Sequence, residues 1–76
     1  MSEIKKNIQK NIAEYRKQAN LTQKELAERL GVKTTSLASW EQGKSMPDID
    51  TLFSLCSILG TNIITISGFE PPERHH

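Results

Sequence analysis

The sequence has few of the residues on which secreted, membrane and metal-binding proteins depend. Its 76 residues include one cysteine, Cys56, and its two histidines, His75 and His76, are the last two residues. A single cysteine cannot form an internal disulfide, which fits a reducing compartment. No apolar run approaches the roughly 20 residues of a membrane span, and the N-terminus lacks a signal-peptide pattern. We therefore expect a cytoplasmic protein without membrane contact.

The residue clusters from which catalytic and metal sites are built are also missing. No internal histidine accompanies Cys56, and this cysteine falls on an apolar helix face, where a small core residue is far commoner than a nucleophile. The sequence contains no metal-ligand cluster, phosphate-binding loop or carboxylate pair of catalytic type. We therefore expect no enzyme, no cofactor, no metal site and no small-molecule substrate. His75 and His76 are interpreted as part of a tag or a tail.

Acidic residues are scarce in the N-terminal part of the chain. Residues 1–44 contain nine Lys or Arg and five Asp or Glu, whereas residues 45–76 contain one Arg and four Asp or Glu. The resulting charges of +4 and −3 would orient the protein towards a polyanion. The alternative is an ordinary mixed surface. The length predicts one domain, which we assign to residues 1–69, with residues 70–76 as a flexible tail.

Residues 23–42 have the pattern of two short helices joined by a tight turn at Gly31, as a helix-turn-helix unit requires. Thr22 and Glu25 form a predicted capping box at the start. Ala27 is small, as a residue at a close helix crossing should be. The apolar residues that would face the rest of the protein are Leu26, Leu30, Val32, Leu37 and Trp40.

The second of these helices has an unfavourable residue at its predicted N-terminus. Spacing places Lys33 at its N-cap, where Ser, Thr, Asp or Asn is expected. A cation there also opposes the positive end of the helix dipole. Two explanations remain open: the helix begins one residue later with Thr34 as its cap, or Lys33 is used against an anion.

Three further helices complete the predicted fold. Residues 2–20 form the first, with an apolar face of Ile4, Ile8, Ile12 and Tyr15. Asp48 caps the fourth, whose predicted inward face is Ile49, Leu52, Phe53, Cys56 and Leu59, with Leu55 and Ile58 partly off it. Residues 61–69 are ambiguous. Their β-branched residues favour a strand, but no second strand is available, so we prefer a short helix capped by Asn62.

With these motifs in place, the chain resembles the Cro/cI-type repressors, the Xre family of helix-turn-helix regulators. The similarity runs from about residue 8 to residue 68 and includes the segments IAEYRKQANLTQKELAERLGV and LASWEQGKSMPDIDTLFSLCSILG. The resemblance implies an all-α fold, a compact bundle of five short helices of the lambda-repressor type. It also implies a repressor that binds near-palindromic double-stranded DNA as a homodimer, with the third helix in the major groove.

The resemblance further implies roles for individual residues. The base-reading positions are occupied by Lys33, Thr34, Thr35 and Ser39. The positions that contact phosphates are occupied by Thr22, Gln23, Ser36, Gln42 and Lys44. Arg16 and Glu41 occupy the positions of an ion pair between the first and third helices. Because Thr and Ser are short, we expect phosphate contacts and DNA shape to supply much of the binding.

The C-terminal part carries apolar residues that a small domain cannot bury completely. We expect a dimer surface on the fourth and fifth helices, at Ile58, Ile64, Ile66 and Phe69. The same residues suit the alternative function, a protein-interaction module, such as an adaptor or an antitoxin-like partner, that reuses the fold.

Overall fold

The computed structural model describes residues 3–69, which form five helices and no strand. The helices are α1 (Glu3–Gln18), α2 (Gln23–Leu30), α3 (Thr34–Glu41), α4 (Ile49–Leu59) and α5 (Ile63–Ser67). The predicted all-α bundle of five short helices is confirmed. The predicted tail, residues 70–76 with His75 and His76, lies outside the described residues. Of the described helices, none is long and apolar enough to cross a membrane.

Side-chain caps start three of the helices where the sequence predicts them. At α2 the Thr22 hydroxyl accepts a hydrogen bond from the Glu25 N–H at 3.0 Å, and the Glu25 carboxylate accepts one from the Thr22 N–H at 2.9 Å. The Asp48 carboxylate accepts the Thr51 N–H at the start of α4. The Asn62 side chain accepts the Thr65 N–H at 2.9 Å. With this cap, residues 63–67 form a helix. The preference for a short helix over a strand is therefore confirmed.

The core lies where α1 crosses α3 and α5 and where α4 packs against α2. Because the chain is short, the core that its helices share is small. Its buried residues are Ile8, Ile12, Leu26, Ala27, Leu37, Trp40, Leu52, Leu55, Cys56 and Ile66.

The predicted inward face of α4 is wrong at two positions. Ile49 is 62% exposed and Phe53 is 57% exposed, whereas Leu55 is fully buried. Apolar residues cover most of the circumference of this helix, so their spacing alone does not select the buried side. Packing of α4 against α2 and α5 selects the side of Leu52, Leu55 and Cys56.

Helix α5 is held to α1 by two asparagines. The side-chain amide of Asn7 donates to the Ser67 carbonyl at 3.0 Å, and that of Asn11 donates to the Ile66 carbonyl at 2.9 Å. These bonds satisfy carbonyls at the end of α5 that the helix itself leaves without donors. They also turn Ile66 into the core, where it has no exposed surface. The expected place of Ile66 on a dimer surface is therefore wrong.

Ile4, predicted on the buried face of α1, is 48% exposed, because it lies one turn before the packed part of that helix.

Candidate nucleic-acid interface

A tight turn sets α3 against α2. Gly31 adopts a left-handed conformation with φ +75°, which a residue with a side chain rarely accepts. The Val32 N–H then donates to the Ala27 carbonyl at 3.0 Å, closing the end of α2. Ala27 itself is 1% exposed, and α2 packs against α3, so its small side chain is buried as the sequence predicts. The local sequence thus builds a helix-turn-helix.

The start of α3 presents exposed polar residues. Helix α3 begins at Thr34, and Lys33 is its N-cap residue with no side-chain capping hydrogen bond. The alternative in which Thr34 caps the helix is therefore wrong. Lys33, Thr34 and Thr35 are all exposed. The first turn of any helix leaves N–H groups without an internal acceptor, so this end of α3 offers donors and a cation to an anionic ligand.

Glu41, at the end of α3, joins three helices. Its Oε2 atom accepts a hydrogen bond from Arg16 Nε at 2.7 Å, and its Oε1 atom accepts one from Arg16 Nη2 at 3.1 Å. The Arg16 Nη1 also donates to the Leu21 carbonyl at 2.8 Å. The side chains of Arg16 and Glu41 are only 12% and 8% exposed. A bidentate pair of this kind fixes orientation as well as distance, so α3 is held in one pose against α1.

Gln23 braces the same carboxylate from α2. Its Nε2 atom donates to Glu41 Oε1 at 3.0 Å, so that oxygen receives donors from both α1 and α2. Gln23 is the first residue of α2 and is half-buried. Because the first turn of α2 leaves the N–H groups of Gln23 and Lys24 without an internal acceptor, the expected phosphate contact remains geometrically open. The phosphate role of Gln23 and Thr22 stays a prediction.

At the far end of α3 the backbone N–H groups are already used. Gln42 donates to the Ala38 carbonyl at 3.0 Å, Gly43 to the Trp40 carbonyl at 3.1 Å, and Lys44 to the Ser39 carbonyl at 2.9 Å. These three N–H groups are therefore already paired, and the side chains of Gln42 and Lys44 are the groups left to contact a phosphate. Gln42 and Lys44 are exposed and available for this, whereas Ser36 is half-buried.

Ser39 has a partner that sequence reasoning did not identify. Its hydroxyl lies 2.8 Å from that of Ser45, in the loop between α3 and α4. Thr35 and Ser39 are four residues apart, so they share one face of α3. Ser45 carries no sequence signal for this role, because its contact with Ser39 depends on how the chain turns after α3.

Four exposed apolar residues are found on and near α4 and α5. We call this set the apolar patch: Ile49, Phe53, Ile64 and Phe69. Phe53 and Ile64 line one surface pocket of about 460 Å³, together with Cys56. Two of the four expected dimer residues, Ile64 and Phe69, belong to the patch. Ile58 is half-buried, and Ile66 is in the core.

Cys56 behaves as a core residue. It is 4% exposed, and burial raises the pKa of its thiol, which disfavours the reactive thiolate. Among residues 3–69 no group of three or more His, Cys, Asp or Glu side chains is placed to hold a metal ion.

The assembled geometry agrees with a comparison against known families, in which a helix-turn-helix family matches residues 12–66. The chain belongs to the Cro/cI-type (Xre) helix-turn-helix family. It is accordingly a DNA-binding transcriptional regulator, and its family is not enzymatic. The match begins within α1 and ends within α5, so all five helices belong at least partly to the family unit.

This helix-turn-helix protein has relatives in archaea and bacteria. It is 32% identical over 62 residues to an HTH-type transcriptional regulator of Archaeoglobus fulgidus, covering 82% of this chain and 87% of the relative. It is 36% identical over 59 residues to an HTH-type transcriptional regulator of Methanocaldococcus jannaschii, covering 78% of this chain and 89% of the relative. It is 30% identical over 61 residues to the cryptic phage CTXphi transcriptional repressor RstR of Vibrio cholerae, covering 80% of this chain and 54% of RstR. No solved structure matches the chain significantly.

Proposed function

We propose that this helix-turn-helix protein is a sequence-specific repressor that binds a near-palindromic operator as a homodimer, with α3 in the major groove. The observation that carries the proposal is the exposed start of α3, held in a fixed pose by Glu41. Lys33, Thr34 and Thr35 point away from the core, while Arg16 and Gln23 hold the other end of the helix. Base reading requires such a rigid support, because hydrogen bonds to base edges tolerate little misplacement.

The candidate base-reading residues differ in the length of their side chains. Lys33 has a long charged side chain that suits guanine or a phosphate, whereas Thr34, Thr35 and Ser39 are short. Short side chains touch thymine methyls or single acceptors and discriminate weakly. Phosphate contacts from Gln23, Gln42 and Lys44 would therefore supply much of the affinity, with Thr22 and Ser36 in supporting positions. Such a regulator shares a compartment with its DNA, so a cytoplasmic location is part of the proposal.

The proposed homodimer uses the apolar patch. Phe53, Ile64 and Phe69 are each more than half exposed, and apolar surface of this kind favours association. Ile49 lies one helical turn before Phe53 on the same face of α4. In a symmetric dimer the two α3 helices would enter major grooves about 34 Å apart, which is why the operator should be near-palindromic.

Selection from a random duplex library, followed by binding at several salt concentrations, tests DNA recognition. We expect one enriched palindromic sequence and a steep fall of log K with log salt, about 0.9 per phosphate neutralised. Changing Lys33, Thr34 and Thr35 to Ala should abolish discrimination between sites and leave the thermal midpoint nearly unchanged, since all three are exposed. A flat salt dependence would refute the proposal.

Sedimentation of Phe53→Asp and Phe69→Asp variants tests the dimer surface. Each introduces a charge into the apolar patch and should weaken self-association. The matched control is Ser54→Asp, which places the same charge at an exposed position of α4 next to Phe53. If both Phe variants associate as the wild type does, the apolar patch is not the dimer surface.

The apolar patch also favours a second candidate function, an interaction module that binds a different protein. The pocket lined by Phe53 and Ile64 would accept an apolar side chain of such a partner. Affinity capture from a host lysate, with and without nuclease, separates the two functions. Recovery of a partner that survives nuclease and disappears with Phe53→Asp would favour the module. Recovery of partner proteins only when the DNA is intact would favour the DNA-binding regulator without a separate interaction function.

A further inference from the structure

The hydroxyl of Ser39, a candidate base-reading residue, is paired with a side chain of the loop that follows α3. Its Oγ atom lies 2.8 Å from Oγ of Ser45, and either hydroxyl can be the donor. Ser39 is half-buried on α3, whereas Ser45 is exposed. The state of a residue that faces the DNA is therefore tied to a residue outside the helix-turn-helix.

A tight turn at the end of α3 brings the chain back to Ser39. The Gly43 N–H donates to the Trp40 carbonyl at 3.1 Å, and the Lys44 N–H donates to the Ser39 carbonyl at 2.9 Å. These two bonds form the Schellman motif that commonly ends a helix, with Gly43 as its left-handed residue. The turn fixes the backbone of Ser39 and places the residue after Lys44 beside its side chain.

The loop is also anchored on the other side of Ser45. Met46 packs against the hydrophobic core, and Pro47 is buried. The ring of Pro47 additionally fixes its own φ angle. Ser45 therefore lies between a hydrogen-bonded turn and a buried segment, so the fold of the loop holds its hydroxyl in place next to Ser39.

The contact with Ser45 limits the bonds that Ser39 can make to a base. A serine hydroxyl donates one proton and accepts through two lone pairs. If Ser39 donates to Ser45, only its lone pairs are left, and these suit the amino groups of adenine and cytosine. If Ser39 accepts from Ser45, its proton is left, and this suits the acceptor atoms of guanine and thymine. In both cases the bond removes alternatives that a freely rotating hydroxyl would have.

We propose that Ser45 is a positioning residue for base recognition: its hydroxyl holds that of Ser39, so that Ser39 discriminates between bases at one base pair of each half-site. This inference rests on the proposed function and goes beyond it, because it makes a loop residue responsible for selectivity that is exerted through α3. Bound DNA excludes water from this surface, and a hydrogen bond is stronger where the local dielectric constant is low. The contact therefore offsets the weak discrimination of a short side chain.

Affinities for the selected operator and for operators changed at one base pair, in both half-sites together, test the proposal. The pair at which Ser39→Ala loses discrimination is the pair that Ser39 reads. We expect Ser45→Ala to lose about fivefold in discrimination at that same pair, the effect of one neutral hydrogen bond, and to keep its discrimination elsewhere. Ser45→Thr keeps the hydroxyl and should behave as the wild type. The matched control is Ser54→Ala, which removes a hydroxyl from an exposed position of α4 and should leave all preferences unchanged.

The variant with both Ser39→Ala and Ser45→Ala shows whether Ser45 acts through Ser39. We expect the base preferences of Ser39→Ala alone, because Ser45 then has no hydroxyl to position. Thermal midpoints establish that every variant is folded.

Three results would overturn the proposal while DNA recognition stands. In the first, Ser45→Ala binds every operator as the wild type does. In the second, it weakens all operators by the same factor, which shows a role in the loop or in affinity only. In the third, Ser39→Ala changes the preference at no base pair. If the wild type itself prefers no sequence, the proposed function fails, and the positioning role of Ser45 fails with it.

Discussion

The side-chain amide of Gln23 donates to Glu41 Oε1 at 3.0 Å, so the first residue of α2 holds the last residue of α3. The same oxygen accepts from Arg16 Nη2 of α1. Three helices that are separate in the sequence therefore meet at one carboxylate. This junction adds to the apolar core in fixing the placement of α3, and the position of any bound DNA would follow from it.

Replacement of Glu41 by Ala should destabilise the fold strongly. The guanidinium of Arg16 would stay largely buried and keep only the Leu21 carbonyl among its described acceptors. Breaking a buried pair in this way costs about 3 kcal/mol or more. The measurement is the free energy of unfolding in urea. Glu28→Ala, at an exposed position of α2, is the control and should change stability by less than about 0.5 kcal/mol. Equal effects of the two variants would contradict the structural role of Glu41.

Replacement of Lys33 by Ser should separate stability from DNA binding. Serine can accept an N–H at the N-cap of α3, where Lys33 makes no capping bond, and should stabilise the protein by about 1 kcal/mol. The same change removes a cation from the reading surface and should lower DNA affinity. Chemical denaturation and duplex titration measure the two effects. Lys33→Ala is the control, since it loses the charge and gains no cap. Undiminished affinity in both variants would exclude Lys33 from the DNA interface.

Replacement of Gly68 by Ala should cost more than the same change at Gly31. Both residues have positive φ, +72° and +75°, so both variants carry the left-handed penalty of about 1–2 kcal/mol. Around Gly31 the added Cβ meets nothing within 4 Å, but at Gly68 it would lie 2.5 Å from Asn7 Nδ2. Displacing Asn7 breaks its bond to Ser67, at an additional cost of about 1 kcal/mol. Urea unfolding compares the two variants, and equal losses of stability would show that Asn7 adapts freely.

Stability should fall in acid partly through Asp48. Its hydrogen bond from the Thr51 N–H at the start of α4 lowers the pKa of this carboxyl below the usual 3.8. A lowered folded-state pKa contributes stability above the unfolded value, and that contribution is lost as pH falls through the folded value. Asp48→Asn retains a capping oxygen but does not titrate. Its thermal midpoint should therefore fall less than that of the wild type from about pH 5 to about pH 2. If the thermal midpoints of the wild type and of Asp48→Asn fall in parallel with pH, titration of Asp48 does not contribute to the loss of stability in acid.

The helix-turn-helix could be predicted from the sequence because its signals are local. The capping box of Thr22 and Glu25, the left-handed Gly31 and the caps at Asp48 and Asn62 each act within about one helical turn. Local hydrogen bonds of this kind follow from residue type and spacing alone. The resemblance to the family then supplied positions for the candidate DNA contacts, which remain predictions for Lys33, Thr34, Thr35 and Ser39.

The apolar faces are less predictable, because burial depends on neighbours that are remote in the chain. Helix α4 is apolar on most sides, and only its packing against α2 and α5 leaves Phe53 outside and Leu55 inside. The apolar pattern places Ile66 at a dimer surface, yet the amides of Asn7 and Asn11 draw the end of α5 onto α1 and bury it.

The sequence by itself determined the number, order and approximate limits of the helices, since capping and periodicity are properties of short segments. The tertiary structure decided which surfaces remain exposed and which side chains meet across long separations. The junction of Gln23 with Glu41, the contact of Ser39 with Ser45 and the approach of Gln9 to Gly43 belong to the second group. Each forms between segments whose relative placement is fixed only when the core of the bundle is packed.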